Sequence, residues 1–235
     1  MKSALDKVFV ALDNMDKEEI FNFLNRTNGK LKNIKIGLEL FNKYGPTVVQ
    51  ELYEKYEVNI FLDLKLHDIP NTVSKSIMSL QGLPIKFLTI HLSGGKEMIQ
   101  QALEARDKAI PDCKILGVSI LTSLDEQDLI EIWGIRSIQD TLVGLFNLAN
   151  NTKIDGIICS PKDLPVLNSM NHSLLAVTPG IRFADEINSS NQGDQKRVLT
   201  PSQAFQNKAN FLVMGRSLTQ ADDINLRLKF LEKMN

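Results

Sequence analysis

Short apolar runs, rich in β-branched residues, recur along the chain at Val8 to Leu12, Ile34 to Leu38, Ile60 to Leu64, Phe87 to Ile90, Ile115 to Leu121, Gly156 to Cys159, Leu174 to Val177 and Phe211 to Met214. Runs of this length predict strands, and amphipathic segments of helix length lie between them. The first such segment opens on Asp16-Lys17-Glu18-Glu19, continues through Ile20, Phe21, Phe23 and Leu24, and stops at Asn28-Gly29. Acidic residues in a first turn and a glycine past the last one are helix punctuation. Further helices are predicted over Thr47 to Tyr56, Val73 to Leu80, Lys96 to Lys108 and Ser137 to Ala149, briefly after Pro161, over Ser202 to Asn207, and from about Asp223. Strand and helix alternating in this way predict a parallel sheet. At this length they suit a closed α/β barrel of the (β/α)8 TIM type, with residues 1–235 as one domain. A doubly wound open sheet is the structural alternative, but Asp13-Asn14-Met15 stands where a glycine-rich dinucleotide turn would follow the first strand. The polar stretch from Asp185 to Lys196 is the main irregular region, and loops of this length are usually either functional lids or flexible insertions.

A hydrophobic content of 43% in 235 residues is enough for a substantial core. The formal net charge of −1, with no block of Lys or Arg, argues against broad capture of nucleic acid or anionic membrane and favours a small-molecule partner. The amino terminus has no continuous apolar leader, and no apolar run reaches the roughly 18 to 20 residues of a membrane span, so a soluble, cytoplasmic protein is expected. Cys113 and Cys159 are far apart and without metal-ligand spacing, which predicts reduced, inert thiols and no zinc site.

The third run breaks this apolar regularity. Within Ile60-Phe61-Leu62-Asp63-Leu64-Lys65-Leu66-His67-Asp68-Ile69-Pro70, charge appears where a buried strand is expected, and buried charge is costly unless it is paired or used. Two-residue alternation puts Asp63 and Lys65 on one face with Cα atoms roughly 7 Å apart. Asp68 has the opposite parity and lies close ahead of a proline, so it is expected beyond the strand end and facing elsewhere.

Other polar residues gather at the predicted strand ends, where barrels of this class do their chemistry. Asp13 ends the first strand, Lys35 lies in the second with Gly37 leaving room on the same face, and Leu121-Thr122-Ser123 ends the fifth. Thr178-Pro179-Gly180-Ile181-Arg182 and Met214-Gly215-Arg216-Ser217 end the seventh and eighth. Each has a plainer explanation: Lys35 as a snorkelling strand-end lysine, Asp13 as a helix cap, the arginines as solvated loop residues. Two Arg beside Gly after the last two strands nevertheless match the usual phosphate site of such barrels, since Gly admits backbone N–H groups to an anion and Arg adds a permanently charged fork. His67, His91 and His172 have no metal-ligand spacing, and a structural role for His67 is at least as good a reading as a catalytic one.

At these positions the sequence resembles the orotidine 5′-monophosphate decarboxylases, particularly their bacterial form. The resemblance covers almost the whole chain. Its most specific segment is Asp63-Leu64-Lys65-Leu66-His67-Asp68-Ile69-Pro70-Asn71-Thr72, supported by Ala11-Leu12-Asp13, Lys35-Ile36-Gly37, Leu121-Thr122-Ser123, Thr178 to Arg182, Gly193-Asp194-Gln195 and Gly215-Arg216. The resemblance implies decarboxylation of orotidine 5′-monophosphate to UMP and CO2 without cofactor or metal, in a homodimer. It implies a charged network of Lys35, Asp63, Lys65 and Asp68, with Asp68 and Thr72 reaching into a partner's site. Asp13 and Lys35 would hold the ribose hydroxyls, and Thr122 and Pro179 would line the pocket. Gln195, Gly215 and Arg216 would hold the phosphate, with Arg182 beside them. One departure is visible: the gap from Arg182 to Gln195 is longer than the family's, which makes Gln192 a competitor, although Gly193-Asp194-Gln195-Lys196-Arg197 keeps the local motif.

Loss of CO2 from C6 leaves a carbanion without an evident electron sink, so a cation is needed there; Lys65 is the implied proton donor, kept protonated by Asp63 and Asp68. The nearest rival is a sugar-phosphate decarboxylase or aldolase with a similar Asp-x-Lys-x-x-Asp strand and Mg2+, which typically carries an acidic residue where Lys35 stands. A lysine there repels a divalent ion. A catalytically silent nucleotide-binding or regulatory barrel is the third reading, because fold does not fix function.

Overall fold

The computed structural model describes residues 3–134, 137–187 and 198–234. Eight parallel strands close into a barrel in sequence order: β1 (Val8–Ala11), β2 (Asn33–Gly37), β3 (Asn59–Leu66), β4 (Ile85–His91), β5 (Lys114–Val118), β6 (Gly156–Ile158), β7 (Leu175–Thr178) and β8 (Phe211–Met214), with β8 pairing back to β1. All eight predicted runs are strands of this barrel, and the fold is the expected (β/α)8 TIM type.

Helices follow the predicted punctuation. Lys17–Arg26 starts from a reciprocal cap in which Asp16 accepts from the Glu19 N–H at 2.9 Å and Glu19 accepts from the Asp16 N–H at 2.7 Å. Pro46–Tyr56, Pro70–Met78, Gly95–Ala109, Ile138–Thr152, Leu164–Asn168, Pro201–Gln206 and Ile224–Glu232 occupy the other predicted places. Among the described residues, four short α-helices were not expected, Leu38–Tyr44, Glu126–Trp133, Ala184–Ile187 and Arg216–Thr219, nor were the 3-10 helices Ala4–Lys7 and Leu92–Gly94. Leu38, expected in the second strand, opens the first of these and is exposed. The fifth strand also ends early, at Val118, because β6 has only three residues and the Ser119 N–H and hydroxyl both close on the Ile158 carbonyl.

Two-residue alternation divides each strand between two cores. Outward residues such as Val8, Val10, Ile34, Ile36, Ile60, Leu62, Leu88 and Ile90 pack in the main cluster, which also takes in buried helix residues such as Ile20, Leu52 and Ile77. Inward residues Phe9, Phe61 and Phe87, with Phe211 packed against them, form an aromatic plug whose ring centroids lie 5.2–5.9 Å apart. The next inward position above Phe61 is Asp63, above Phe87 is Thr89, and above Phe9 is Ala11. Ionic groups therefore sit on a dry aromatic floor, where charge interactions are weakly screened.

Candidate active site

A cavity of about 360 Å3 opens at the carboxyl ends of the strands. Nine of the predicted residues line it: Asp13, Lys35, Asp63, Lys65, Thr122, Pro179, Arg182, Gly215 and Arg216. Ala11, Phe61, Ile158 and Val213 provide apolar wall. Asp68 and Thr72 do not line it, and Gln195 and Gln192 fall outside the described residues.

The charged groups form a chain. Lys35 Nζ lies 3.1 and 3.0 Å from the two Asp13 oxygens and 3.6 Å from Asp63 Oδ2; Lys65 Nζ lies 2.8 Å from the same Asp63 oxygen. Side-chain exposure is 42% for Asp13, 8% for Lys35, 12% for Asp63 and 31% for Lys65, so the middle of the chain is buried and both of its ends open on the cavity. Burial opposes ionisation of Asp63, but the Lys35 and Lys65 charges, with hydrogen bonds from Lys65 and Thr89, hold its carboxyl below the usual carboxylate range. Gly37 leaves room for this chain: a Cβ there would stand 2.6 Å from Asp13 Oδ1 and 3.0 Å from Lys35 Nζ and would push both groups aside.

Strand alternation does not survive to the end of β3. Lys65 has φ of 49°, in the left-handed region that side-chain-bearing residues rarely adopt, and the pairing with β4 jumps from Leu62↔Leu88 to Leu66↔Ile90. Four residues of β3 thus span two of β4, a bulge that turns Lys65 over the cavity. Asp63 and Lys65 do meet, as expected, but the parity argument for Asp68 loses its basis beyond this bulge. Asp68 still faces away: it is exposed, and its carboxylate accepts from the Ile69 N–H at 2.7 Å. His67 and His91 stack with centroids 5.1 Å apart, and burial, the neighbouring His67 and the Lys65 charge push His91 down to about 4.

On the opposite side, Gly180 has φ of 76°, a turn that glycine accommodates freely. It allows Ile181 to bridge to Leu199 and Arg182 to reach Ser217, whose hydroxyl accepts from Nη1 at 3.3 Å. The Ser217 hydroxyl in turn donates to Glu186 at 2.5 Å. Glu186 was missed in the sequence, and Ser217, noted within the segment that ends the eighth strand, was given no role; nothing in local pattern marks a serine in a four-residue helix as the support of an arginine 35 residues away. Both cysteines are free and buried, and burial raises each thiol, Cys113 to about 12.

A closed parallel barrel whose ionic groups converge at the carboxyl mouth places the protein in the class of (β/α)8 barrel enzymes. Comparison with known proteins narrows this: residues 6–229 match the model of the orotidine 5'-phosphate decarboxylase / HUMPS family. The chain belongs to that family, and is an enzyme of it. It is 40% identical over 221 residues to an orotidine 5'-phosphate decarboxylase of Opitutus terrae, covering 94% of each protein. It is 38% identical over 220 residues to one of Haemophilus ducreyi, covering 93% of this chain and 94% of that protein. The crystal structure of orotidine 5'-phosphate decarboxylase from Lactobacillus acidophilus superposes with a TM-score of 0.82 at 32% identity, covering 96% of this chain and 97% of that one.

Proposed function

We propose that this protein decarboxylates orotidine 5′-monophosphate to UMP and CO2, the last step of de novo pyrimidine nucleotide synthesis, without metal or organic cofactor, as a cytoplasmic homodimer. Family membership supports the reaction. The observation that carries the mechanism is the Asp13–Lys35–Asp63–Lys65 chain on its aromatic floor. The bond from C6 to the carboxylate breaks with its electron pair left on C6, CO2 departs, and the Lys65 ammonium delivers a proton to C6 and is later reprotonated from water. Asp63 keeps Lys65 charged and positioned. Asp13 and Lys35 take the ribose hydroxyls, Thr122 and Pro179 border the base, and Arg182, Gly215, Arg216 and Gln195 take the phosphate. Asp68 and Thr72 complete the partner's cavity. In support, both are exposed just beyond β3, on either side of Ile69, an apolar side chain left 65% exposed in the single chain.

Lys35 also weighs against the Mg2+-dependent alternative. Its ammonium occupies the space between Asp13 and Asp63, the two carboxylates of this cavity that would otherwise face a divalent ion. The test is the absorbance change on orotidylate loss, with and without EDTA, for the parent and for Lys65→Ala. Metal-independent turnover that vanishes in Lys65→Ala, with binding of a phosphate-bearing product analogue retained, is expected. EDTA-sensitive turnover of a sugar phosphate, or nucleotide binding without turnover, would overturn the reading; unchanged turnover in Lys65→Ala would remove Lys65 from the mechanism.

A further inference from the structure

Thr89 lies in the middle of β4 and is fully buried. It faces the barrel interior between Phe87 and His91, a position where an apolar residue would continue the plug. Its hydroxyl donates to Asp63 Oδ1 at 2.9 Å and accepts from the Lys65 backbone N–H at 2.9 Å. Both bonds fall inside the β3 bulge, where Leu62↔Leu88 gives way to Leu66↔Ile90 and the ladder carbonyl that would normally receive the Lys65 N–H is out of register. The threonine side chain supplies that missing acceptor.

We infer that Thr89 is a positioning residue for the reaction: one hydroxyl fixes the left-handed Lys65 backbone and the unshared Asp63 oxygen together, and so sets the direction in which the Lys65 ammonium enters the cavity. This rests on the reading of Lys65 as proton donor. A lysine at φ of 49° persists only where its surroundings hold it there. Here the tether is a side chain of the neighbouring strand, so backbone conformation and carboxylate orientation are coupled through a single oxygen. Asp63 receives Lys65 and Lys35 on Oδ2 and Thr89 on Oδ1, which leaves its plane little freedom to rotate.

Thr89→Val keeps the shape and removes both bonds; Thr89→Ser keeps the hydroxyl. Loss of a hydrogen bond to a charged group in the transition state lowers rate by roughly 10- to 100-fold. Thr89→Val is therefore expected to lose kcat to that extent with KM little changed. The acid limb of its pH profile should move upward, because Asp63 loses one donor while Lys35 of β2, Lys65 of β3, the His67–His91 pair and, through Lys35, Asp13 still surround it. Thr89→Ser is expected to restore both. Should Thr89→Val not fold, Thr89→Cys, of similar size with a weak donor, is judged by the same criteria. Parental kcat and an unmoved acid limb in a folded variant, alongside an inactive Lys65→Ala, would overturn the inference, as would a lowered melting temperature as the sole effect. An active Lys65→Ala would instead bring down the site reading itself, and the inference with it.

Discussion

Asp63→Asn keeps the size of the side chain and deletes the charge on which two ammonium groups converge. At an effective dielectric of about 20, a unit charge at 2.8 Å and another at 3.6 Å interact with Asp63 by about 6 and about 5 kcal/mol before desolvation is subtracted. Removing one partner of such a pair costs about 3–5 kcal/mol when burial is complete. Geometry adds a conflict: Oδ1 receives Thr89 and Oδ2 receives both lysines, so the amide NH2 must face either a hydroxyl already held by the Lys65 N–H or two ammonium groups. One choice sets an NH2 group against both ammonium groups, and the other leaves them a neutral amide oxygen in place of a carboxylate. The folded state suffers less, because Lys35 retains Asp13 and Lys65, at 31% side-chain exposure, can turn to water, which limits the stability loss to about 1 kcal/mol. Expressed in the transition state, a 3–5 kcal/mol loss is a fall in kcat of roughly 100- to 5,000-fold. Steady-state decarboxylation and urea unfolding of the same preparation measure the two effects. A kcat within about tenfold of the parent, or a stability loss that accounts for the whole activity loss, would refute the assignment of Asp63 as keeper of Lys65.

Mixing Asp63→Asn with Asp68→Asn chains after dissociation gives hybrid dimers with one intact site if Asp68 crosses the interface, and recovery of about a quarter of parental activity is expected for random pairing; verified hybrids with no recovery would rule out the shared site. His91, held near 4 against 6.5 for a free imidazole, takes up its proton later than the unfolded chain does. Stability is accordingly full above about 6.5 and declines as pH falls toward 4, by about 1–2 kcal/mol once its partial exposure is allowed for. Urea midpoints measured across that window should flatten in His91→Asn, and an unchanged slope would clear His91 of the effect.

The barrel was legible because strand and helix periods differ and the chain keeps both. Phe9, Phe61 and Phe87 are spaced so that Val8, Val10, Ile60, Leu62, Leu88 and Ile90 fall on the other face, and closure of eight such strands with helices outside buries both sets. Nine of the expected site residues converge for the same reason: a residue's distance past the last apolar position of its strand fixes its height at the mouth. Short helices such as Arg216–Thr219 were not legible, since four residues carry no period; Leu38–Tyr44 begins inside an apolar run that reads equally well as strand.

Alternation itself assumes an unbroken ladder, and that assumption fails at Lys65. A bulge leaves no mark in a single sequence when its residue is neither Gly nor Asn, so Lys65 at φ of 49° reads as one more strand position. The partner that reveals it, Thr89, is equally silent, because threonine is at home in strands and needs no functional account there. The two become informative only together: a strained lysine on one strand and a hydroxyl on the next, placed to hold it. The Asp63 and Lys65 side chains could have met across an ordinary strand with Cα atoms roughly 7 Å apart. The bulge adds a direction that plain alternation does not provide, turning the ammonium toward the open cavity while its carboxylate partner stays buried beside Lys35. Proton delivery to a substrate carbon requires that projection, and so β3 departs from its own pattern at Lys65, where the proposed chemistry needs it to.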